Sequence, residues 1–151
     1  TVRFFNVYGP GQAPIFVASK SIYLAMRKES PLIYDSGTQT RCFTFVDDAI
    51  EGVILASNND KAIGEVFNIG SNIETSMREV VEISIEESGN KLNPRFFDTK
   101  KEYGELYEDI SRRIPDVKKA KAILGWSAKT SLRQGIKETI DWANKNTWWL
   151  A

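Results

Sequence analysis

An asparagine and an arginine are the residues of this sequence best suited to hold a charged or hydroxylated ligand. Asn6 stands near the end of the β-prone run Val2–Tyr8, and its amide offers two donors and an acceptor, which suit a phosphate or a sugar hydroxyl. Arg41 lies between a polar turn and an apolar segment, where its planar guanidinium suits a pyrophosphate. The residues alone leave two alternatives open. Asn6 is equally typical of a turn, and Arg41 of a solvated side chain paired with Asp47 or Asp48.

Composition excludes several classes of function. The chain has 151 residues, of which 42% are hydrophobic and 26% charged, the balance of one globular domain. It has no histidine and a single cysteine, Cys42. This excludes Ser-His-Asp catalysis and histidine-based or cysteine-rich metal sites, and it indicates a reducing, cytoplasmic location.

Charge and hydropathy limit the partners further. Lys+Arg and Asp+Glu both number 20, which argues against binding nucleic acid through bulk charge. No apolar run approaches the roughly 20 residues of a membrane span. We therefore expect neither a nucleic acid nor a membrane as partner.

The elements that must position Asn6 and Arg41 can be predicted from periodicity and turn residues. Residues 15–29 have helical spacing, and residues 64–70 form a buried-strand pattern bounded by glycines. Two short strands, Leu32–Tyr34 and Arg41–Val46, surround the turn signal at residues 35–37 and are expected to form a hairpin. Asp47 is expected to cap the helix that follows, to about Ser57.

The second half of the chain has clearer helix signals. Capping boxes at residues 76–79 and 131–134 predict two helix starts, and Gly89 and Gly125 predict left-handed stops. Asp116 is expected to cap the short helix before Gly125, residues 94–97 to form a strand and residues 98–113 a long loop. Strand and helix alternate, so the pattern indicates an α/β or α+β fold.

Four segments, in this order, resemble one family. They are residues 3–10 (RFFNVYGP), 37–48 (GTQTRCFTFVDD), 64–70 (GEVFNIG) and 115–126, which runs from PDVKKAK to LGW. The chain resembles the C-terminal half of the NAD-dependent nucleotide-sugar epimerases and dehydratases, in the extended branch of the short-chain dehydrogenases/reductases. The resemblance implies an α/β fold, with a substrate-binding portion and a few strands of a Rossmann-type sheet.

Two motifs of that family are missing from the chain. It has no Gly-x-x-Gly-x-x-Gly turn for NAD and no Tyr-x-x-x-Lys pair: Tyr23 is followed four residues on by Arg27, and Tyr103 by Tyr107. We therefore expect residues 1–151 to be a substrate-binding region without the N-terminal Rossmann domain, and without a catalytic residue of its own. Such a fragment is expected to be inactive and to associate with the missing domain or with itself.

The resemblance also implies roles for particular residues. Asn6, Arg41, Tyr107 and Arg113 would contact the nucleotide-sugar, and Phe4 and Phe5 would place their backbone near the nicotinamide. For Arg112 and Arg113, a surface loop with its own charge pairs is the alternative. The parent enzyme would take a UDP- or dTDP-sugar and NAD, in the manner of a UDP-sugar 4-epimerase. A UDP-glucuronate decarboxylase of the same fold and a non-catalytic nucleotide-sugar-binding or assembly module are the other hypotheses.

Overall fold

The computed structural model describes residues 1–99, 101 and 110–151. The helices in these residues are α1 (Val17–Met26), α2 (Val46–Ser57), α3 (Met77–Glu87), α4 (Lys118–Leu124) and α5 (Leu132–Lys145), with 3₁₀ turns at Asp60–Ala62 and Thr147–Leu150. The strands are β1 (Val2–Phe4), β2 (Val7–Tyr8), β3 (Leu32–Tyr34), β4 (Thr40–Cys42), β5 (Thr44–Phe45), β6 (Phe67–Ile69), β7 (Glu74–Ser76), β8 (Arg95–Phe97) and β9 (Arg112–Arg113).

Most of the strand pairs are parallel, which confirms the α/β class. Strand β1 pairs with β6, β2 with β5 and β3 with β8, each in parallel. A three-stranded sheet has the order β7-β4-β9, in which β4 runs antiparallel to β7 and parallel to β9. Parallel neighbours need a crossover connection, so residues far apart in sequence meet on adjacent strands.

The predicted hairpin between residues 32–34 and 41–46 is wrong. Strand β3 pairs with β8, whereas β4 pairs with β7 and β9. Gly37 does make a turn with a positive φ of 70°, but this turn is tied to the start of α3, because the amide of Arg78 donates to the Gly37 carbonyl at 3.0 Å. The local turn signal was correct, but the strands on either side of it pair with segments distant in the sequence.

The β-prone run of residues 2–8 is divided in the same way. Asn6 adopts a left-handed φ of 40° and separates β1 from β2. The two short strands therefore join different partners, β6 and β5. Asparagine tolerates this conformation better than most side chains, which explains how the run can break here without glycine.

Two hydrophobic clusters support these strands. One packs helices α1, α3 and α5 against β2 and β5 and contains Tyr8, Ile22, Phe45, Val80 and Ile136. The other packs α2 and α4 against β6 and contains Ala49, Phe67, Ile69, Leu124 and Trp126. Each large apolar side chain buried in this way contributes about 1.5–3 kcal/mol, so the clusters hold β2, β5 and β6 in place.

The predicted caps are confirmed at α3 and α5. The amide of Glu79 donates to Ser76 Oγ at 3.1 Å, and the amide of Gln134 donates to Ser131 Oγ at 3.2 Å. The left-handed stops are also confirmed, since Gly89 and Gly125 have φ values of 70° and 67°.

The predicted cap of α2 is wrong, because the helix begins two residues earlier, at Val46, with Phe45 as its N-cap. The neighbouring carboxylate of Asp48 instead accepts from the amides of Lys129 and Thr130, at 3.1 and 2.9 Å. At α4 the N-cap is Val117, and Asp116 Oδ1 accepts from the amide of Lys118 at 2.9 Å. Asp48 thus joins α2 to the segment before α5, and Asp116 forms a turn at the start of α4.

Candidate functional site

Asn6 connects the first strand to the middle of the chain. Its Nδ2 donates to the Cys42 carbonyl at 2.9 Å, and its own carbonyl accepts from the amide of Thr44 at 3.2 Å. The amide group is therefore held against the end of β4, with its oxygen directed elsewhere. Asn6 is a turn residue by its backbone, and its side chain also makes specific contacts.

Arg113 supplies the partner of that oxygen. Its Nη2 donates to Asn6 Oδ1 at 2.9 Å. Strand β9 lies beside β4 with Arg113 opposite Arg41 and Arg112 opposite Thr40. Since residues in register on adjacent strands share a face of the sheet, Arg41 and Arg113 lie on the same face, about 5 Å apart along the hydrogen-bonding direction.

Arg41 is buried, with 9% of its surface exposed. Its Nη1 donates to the Thr40 carbonyl at 2.8 Å, and Thr75 of β7 is its register partner on the other side. This burial contradicts the alternative of a solvated arginine. The structure thus brings three predicted substrate-binding residues together: Asn6, Arg41 and Arg113.

Arg112 is turned to the opposite face and is paired there. Its guanidinium contacts both carboxylate oxygens of Glu74, at 2.9–3.1 Å, and Thr40 Oγ1 donates to the same carboxylate at 2.6 Å. The hydrogen bond from Arg112, followed by that from Thr40, holds the pKa of Glu74 below its usual value. The charge-pair alternative thus describes Arg112, and Arg113 alone of the two contacts Asn6.

The shared face of β4 and β9 has the chemistry of an anion site. An arginine has five N–H donors in a fixed fork, which matches the oxygens of a phosphate. Asn6 Oδ1 accepts a hydrogen bond from Arg113 and so helps to orient the guanidinium of Arg113.

A cavity of about 270 Å³ adjoins this cluster and shares Asn6 with it. Its other walls include Tyr8, Gln12, Phe16 and Phe43, so it is largely apolar with a few polar groups. That composition is typical of a small-molecule site. The Tyr8 hydroxyl is not available for proton transfer, because it donates to the Leu132 carbonyl at 3.1 Å and burial raises its pKa.

Phe4 and Phe5, the predicted cofactor contacts, have different surroundings. Phe4 is 53% exposed and lines an apolar groove of about 280 Å³ with residues of α2, among them Ile50 and Ile54. Phe5 is half-buried, and its carbonyl accepts from Thr44 Oγ1 at 2.8 Å. A Cβ placed on Gly70 would lie 2.9 Å from Phe5 Cβ, so the glycine permits β6 to end close to β1.

Three further residues are relevant to the site: Tyr107, Gln12 and Glu74. Tyr107 lies outside the described residues. Gln12 and Glu74 belong to the surroundings of the site and were missed by sequence reasoning. For Gln12 the only signal is its place after the Gly9–Gly11 turn, and for Glu74 nothing in the local pattern indicates a partner 38 residues away.

The described residues contain neither a metal-binding cluster nor a membrane-spanning helix. Within residues 1–99, 101 and 110–151, no three His, Cys, Asp or Glu side chains are grouped so as to hold a metal ion. The helices in this part of the chain are too short or too polar to cross a bilayer.

Comparison with known proteins relates this α/β chain to enzymes of nucleotide sugars. The profile of the GDP-mannose 4,6-dehydratase family matches residues 1–139. The UDP-N-acetyl-α-D-glucosaminuronate decarboxylase of Bacillus cytotoxicus is 38% identical over 93% of this chain and 44% of its own length.

Solved structures agree with the sequence relatives. The UDP-glucose 4-epimerase of Thermotoga maritima, crystallised with UDP-glucose, superimposes with a TM-score of 0.84 and 30% identity over 97% of this chain and 46% of its own. The UDP-glucuronic acid 4-epimerase of Bacillus cereus, in complex with UDP-glucuronic acid and NAD, superimposes with a TM-score of 0.83. The two sequences are 29% identical over 96% of this chain and 45% of the epimerase chain.

The chain belongs to the family of NAD-dependent nucleotide-sugar epimerases and dehydratases, as its sequence resemblance predicted. It spans less than half of the length of these relatives, which fits a C-terminal portion of the extended fold. NAD is a cofactor of this family, but the sequence contains no Gly-x-x-Gly-x-x-Gly turn to hold its pyrophosphate.

Proposed function

We propose that this chain is the C-terminal substrate-binding region of an NAD-dependent UDP-sugar 4-epimerase-like enzyme. In this proposal the cluster of Asn6, Arg41 and Arg113 binds the diphosphate of a UDP- or dTDP-sugar. The observation that carries it is the hydrogen bond between Arg113 and Asn6, on a strand that places Arg113 in register with the buried Arg41.

The cluster would serve catalysis through binding and orientation. A diphosphate held by two guanidinium groups fixes the end of the substrate that does not react, and this binding energy orients the sugar at the reacting centre. NAD, when bound, supplies hydride transfer to and from the sugar. The described part of the chain contributes positioning, and the Tyr-x-x-x-Lys pair that the family uses is not in this sequence.

The apolar groove beside β1 is proposed to receive the N-terminal NAD-binding domain. Its walls are apolar side chains of Phe4, Val46, Ile50, Val53 and Ile54, and soluble proteins usually cover such a patch. Parallel strands such as β1 and β6 are also normally buried on both faces. The relatives have more than half of their length outside the part matched here, enough for a domain that would cover this surface.

A cytoplasmic location belongs to the same proposal. Cys42, the single cysteine of the chain, is buried as a free thiol. A chain without disulfides is typical of a reducing compartment such as the cytoplasm.

A decarboxylase of a UDP-hexuronate is the second candidate. The observation that favours it is the 38% identity to the UDP-N-acetyl-α-D-glucosaminuronate decarboxylase. Assay of the full-length protein with UDP-glucose and UDP-glucuronate distinguishes the two, because release of carbon dioxide from the hexuronate occurs only in the decarboxylase. Binding without any conversion would instead indicate the third hypothesis, a nucleotide-sugar-binding module.

Adjacent arginines provide a matched test of the diphosphate site. We expect Arg113→Ala, in the full-length protein that contains this chain, to weaken UDP binding by about tenfold to a hundredfold, the effect of losing a charge-assisted bond. Arg112→Ala removes an identical side chain one residue away, on the face where it pairs with Glu74, and should leave UDP affinity unchanged. Calorimetric titration measures both. Equal affinity in the two variants would contradict the proposed site.

A further inference from the structure

Thr44 joins the segments that follow β1 and β6, next to the turn that carries Asn6. It is the first residue of β5, and none of its surface is exposed. Its Oγ1 donates to the Phe5 carbonyl at 2.8 Å and accepts from the amide of Ser71 at 2.9 Å. Its backbone amide donates to the Asn6 carbonyl at 3.2 Å. The hydroxyl and the amide of Thr44 thus hold the chain on both sides of the Asn6 Cα.

These two contacts determine the backbone conformation of Asn6. The Phe5 carbonyl belongs to the peptide group before the Asn6 Cα, and the Asn6 carbonyl belongs to the peptide group after it. The dihedral angles φ and ψ are the rotations of these two planar groups about the Cα. Because Thr44 bonds to both groups, it holds Asn6 at its left-handed φ of 40°.

The left-handed conformation of Asn6 needs such support. It is unfavourable for residues other than glycine, less so for asparagine than for most, and it persists where the surrounding structure determines it. Two contacts of the Asn6 side chain depend on it: Nδ2 donates to the Cys42 carbonyl, and Oδ1 accepts from Arg113 Nη2, both at 2.9 Å. Rotation of either flanking peptide group would turn the Cα–Cβ bond and move the amide away from these partners.

We infer that the Thr44 hydroxyl is a positioning group for the proposed diphosphate site, because it holds Asn6 in the conformation that orients the Arg113 guanidinium. Thr44 acts through Asn6 and not by touching the ligand, since its side chain has no exposed surface. The inference rests on the proposed function, in which Asn6 and Arg113 bind the diphosphate. It adds a residue of β5 that lies outside that cluster.

Removal of the hydroxyl tests the inference in the full-length protein that contains this chain. Thr44→Val keeps the shape of the side chain, and we expect it to weaken UDP binding about three- to tenfold, the effect of one neutral hydrogen bond. Thr44→Ser keeps the hydroxyl and should bind UDP as the unmodified protein does. Calorimetric titration measures these affinities. Unchanged affinity in Thr44→Val would overturn the inference, and so would an equal loss in Thr44→Ser, which would assign the effect to the methyl group.

Thr139→Val is the matched control for loss of stability. Thr139 of α5 is also fully buried, and its Oγ1 donates to the Gly135 carbonyl at 2.7 Å within the same helix. Both valine variants should lower the temperature of thermal unfolding, because each loses a buried hydrogen bond, but only Thr44→Val should weaken UDP binding. Equal weakening by the two variants would show that Thr44 contributes to stability alone, which overturns the inference.

A double-mutant cycle with Asn6→Gly shows whether Thr44 acts through Asn6. Glycine adopts the left-handed conformation without strain, and this substitution removes the side-chain amide. In the Asn6→Gly background, Thr44→Val should therefore cause no further loss of UDP affinity. Additive losses would mean that the hydroxyl acts by another route, and the inference would be overturned.

Thr44→Cys decides the matter if Thr44→Val does not fold. A thiol is a weak donor, so we expect UDP affinity to fall about two- to threefold, and unchanged affinity would overturn the inference. If the unmodified protein does not bind UDP, the proposed function fails and the inference fails with it. If the unmodified protein binds UDP and the Thr44 variants bind it equally well, the inference alone fails.

Discussion

Arg113 and Asn6 are 107 positions apart in the sequence, yet Arg113 Nη2 donates to Asn6 Oδ1 at 2.9 Å. The contact depends on two features of the chain. The left-handed turn at Asn6 directs its side chain toward β4, and the parallel pairing of β9 with β4 places Arg113 alongside. The proposed diphosphate site therefore requires two segments 107 positions apart to fold together.

The first prediction concerns the buried arginine. In the full-length protein, Arg41→Lys should weaken UDP binding by about tenfold to a hundredfold, much as Arg41→Ala does, because an ammonium is a point charge and cannot reproduce the planar fork. NAD affinity should change little in either variant. Calorimetry with UDP and NAD measures both quantities. Full recovery of UDP affinity by lysine would show that charge alone matters at this position.

The second prediction is that the 151-residue chain alone does not convert nucleotide sugars. It has no Tyr-x-x-x-Lys pair, and the hydroxyl of Tyr8 is bonded to a carbonyl. Incubation with NAD and a set of UDP- and dTDP-sugars, followed by chromatography, should show unchanged sugars, with the full-length protein as positive control. Turnover above a protein-free blank would mean that a catalytic group has been overlooked in this chain.

The third prediction concerns the apolar groove in the isolated chain. Without a domain to cover it, the groove should cause self-association, and Ile54→Lys should reduce it because a charge would be buried in the contact. Ile63→Lys is the matched control, since Ile63 is 81% exposed and lies outside the groove. Light scattering at several concentrations compares the three proteins. A monomeric unmodified chain at high concentration would rule out this use of the groove.

The fourth prediction tests the packing of α5 over Tyr8. A Cβ on Gly135 would collide with the Tyr8 hydroxyl and lie 2.7 Å from Phe45 Cδ2. Gly135→Ala should therefore destabilise the protein by about 1–3 kcal/mol, although alanine is the better helix former. Denaturant unfolding measures the change, and Lys137→Ala, on the exposed side of the same helix, should alter stability by less than about 0.5 kcal/mol. A stabilised Gly135→Ala protein would show that the helix can move outward freely.

The fifth prediction concerns the pH dependence of the Arg112–Glu74 pair. Its hydrogen bonds hold the pKa of Glu74 below the ordinary value of 4.5. The stabilisation is therefore fully present above that value and is lost as the pH falls through the lowered pKa of the folded state. Thermal unfolding of the unmodified protein and of Glu74→Gln should differ most near neutral pH and converge in acid. A difference that grows in acid would contradict the assigned pairing. The pair is exposed, so the effect should be small.

Sequence reasoning succeeded where the signal is local. The capping serines Ser76 and Ser131 and the stops at Gly89 and Gly125 depend on neighbours within a few residues, and the structure has all four. The hairpin around Gly37 failed for the same reason, because the turn was recognised but its strands pair with distant segments.

The candidate site shows a similar limit. Asn6, Arg41 and Arg113 could be named by resemblance, but the direct bond between Asn6 and Arg113 depends on strand register, which no local pattern specifies. The place of Gln12 in the cavity wall was missed because it depends on hydrogen bonds to Val7 and from Trp149. Such contacts depend on tertiary packing and leave no periodic trace in the sequence.

The bond from Trp149 to Gln12 joins positions 137 residues apart. The C-terminal 3₁₀ helix therefore supports the wall of the cavity, although Trp149 is not itself among the cavity-lining residues. We expect a change in the composition of this helix to alter the shape of the cavity while every residue that lines it stays the same. In comparing relatives, differences between their cavities should accordingly be sought in this segment as well as among the lining residues.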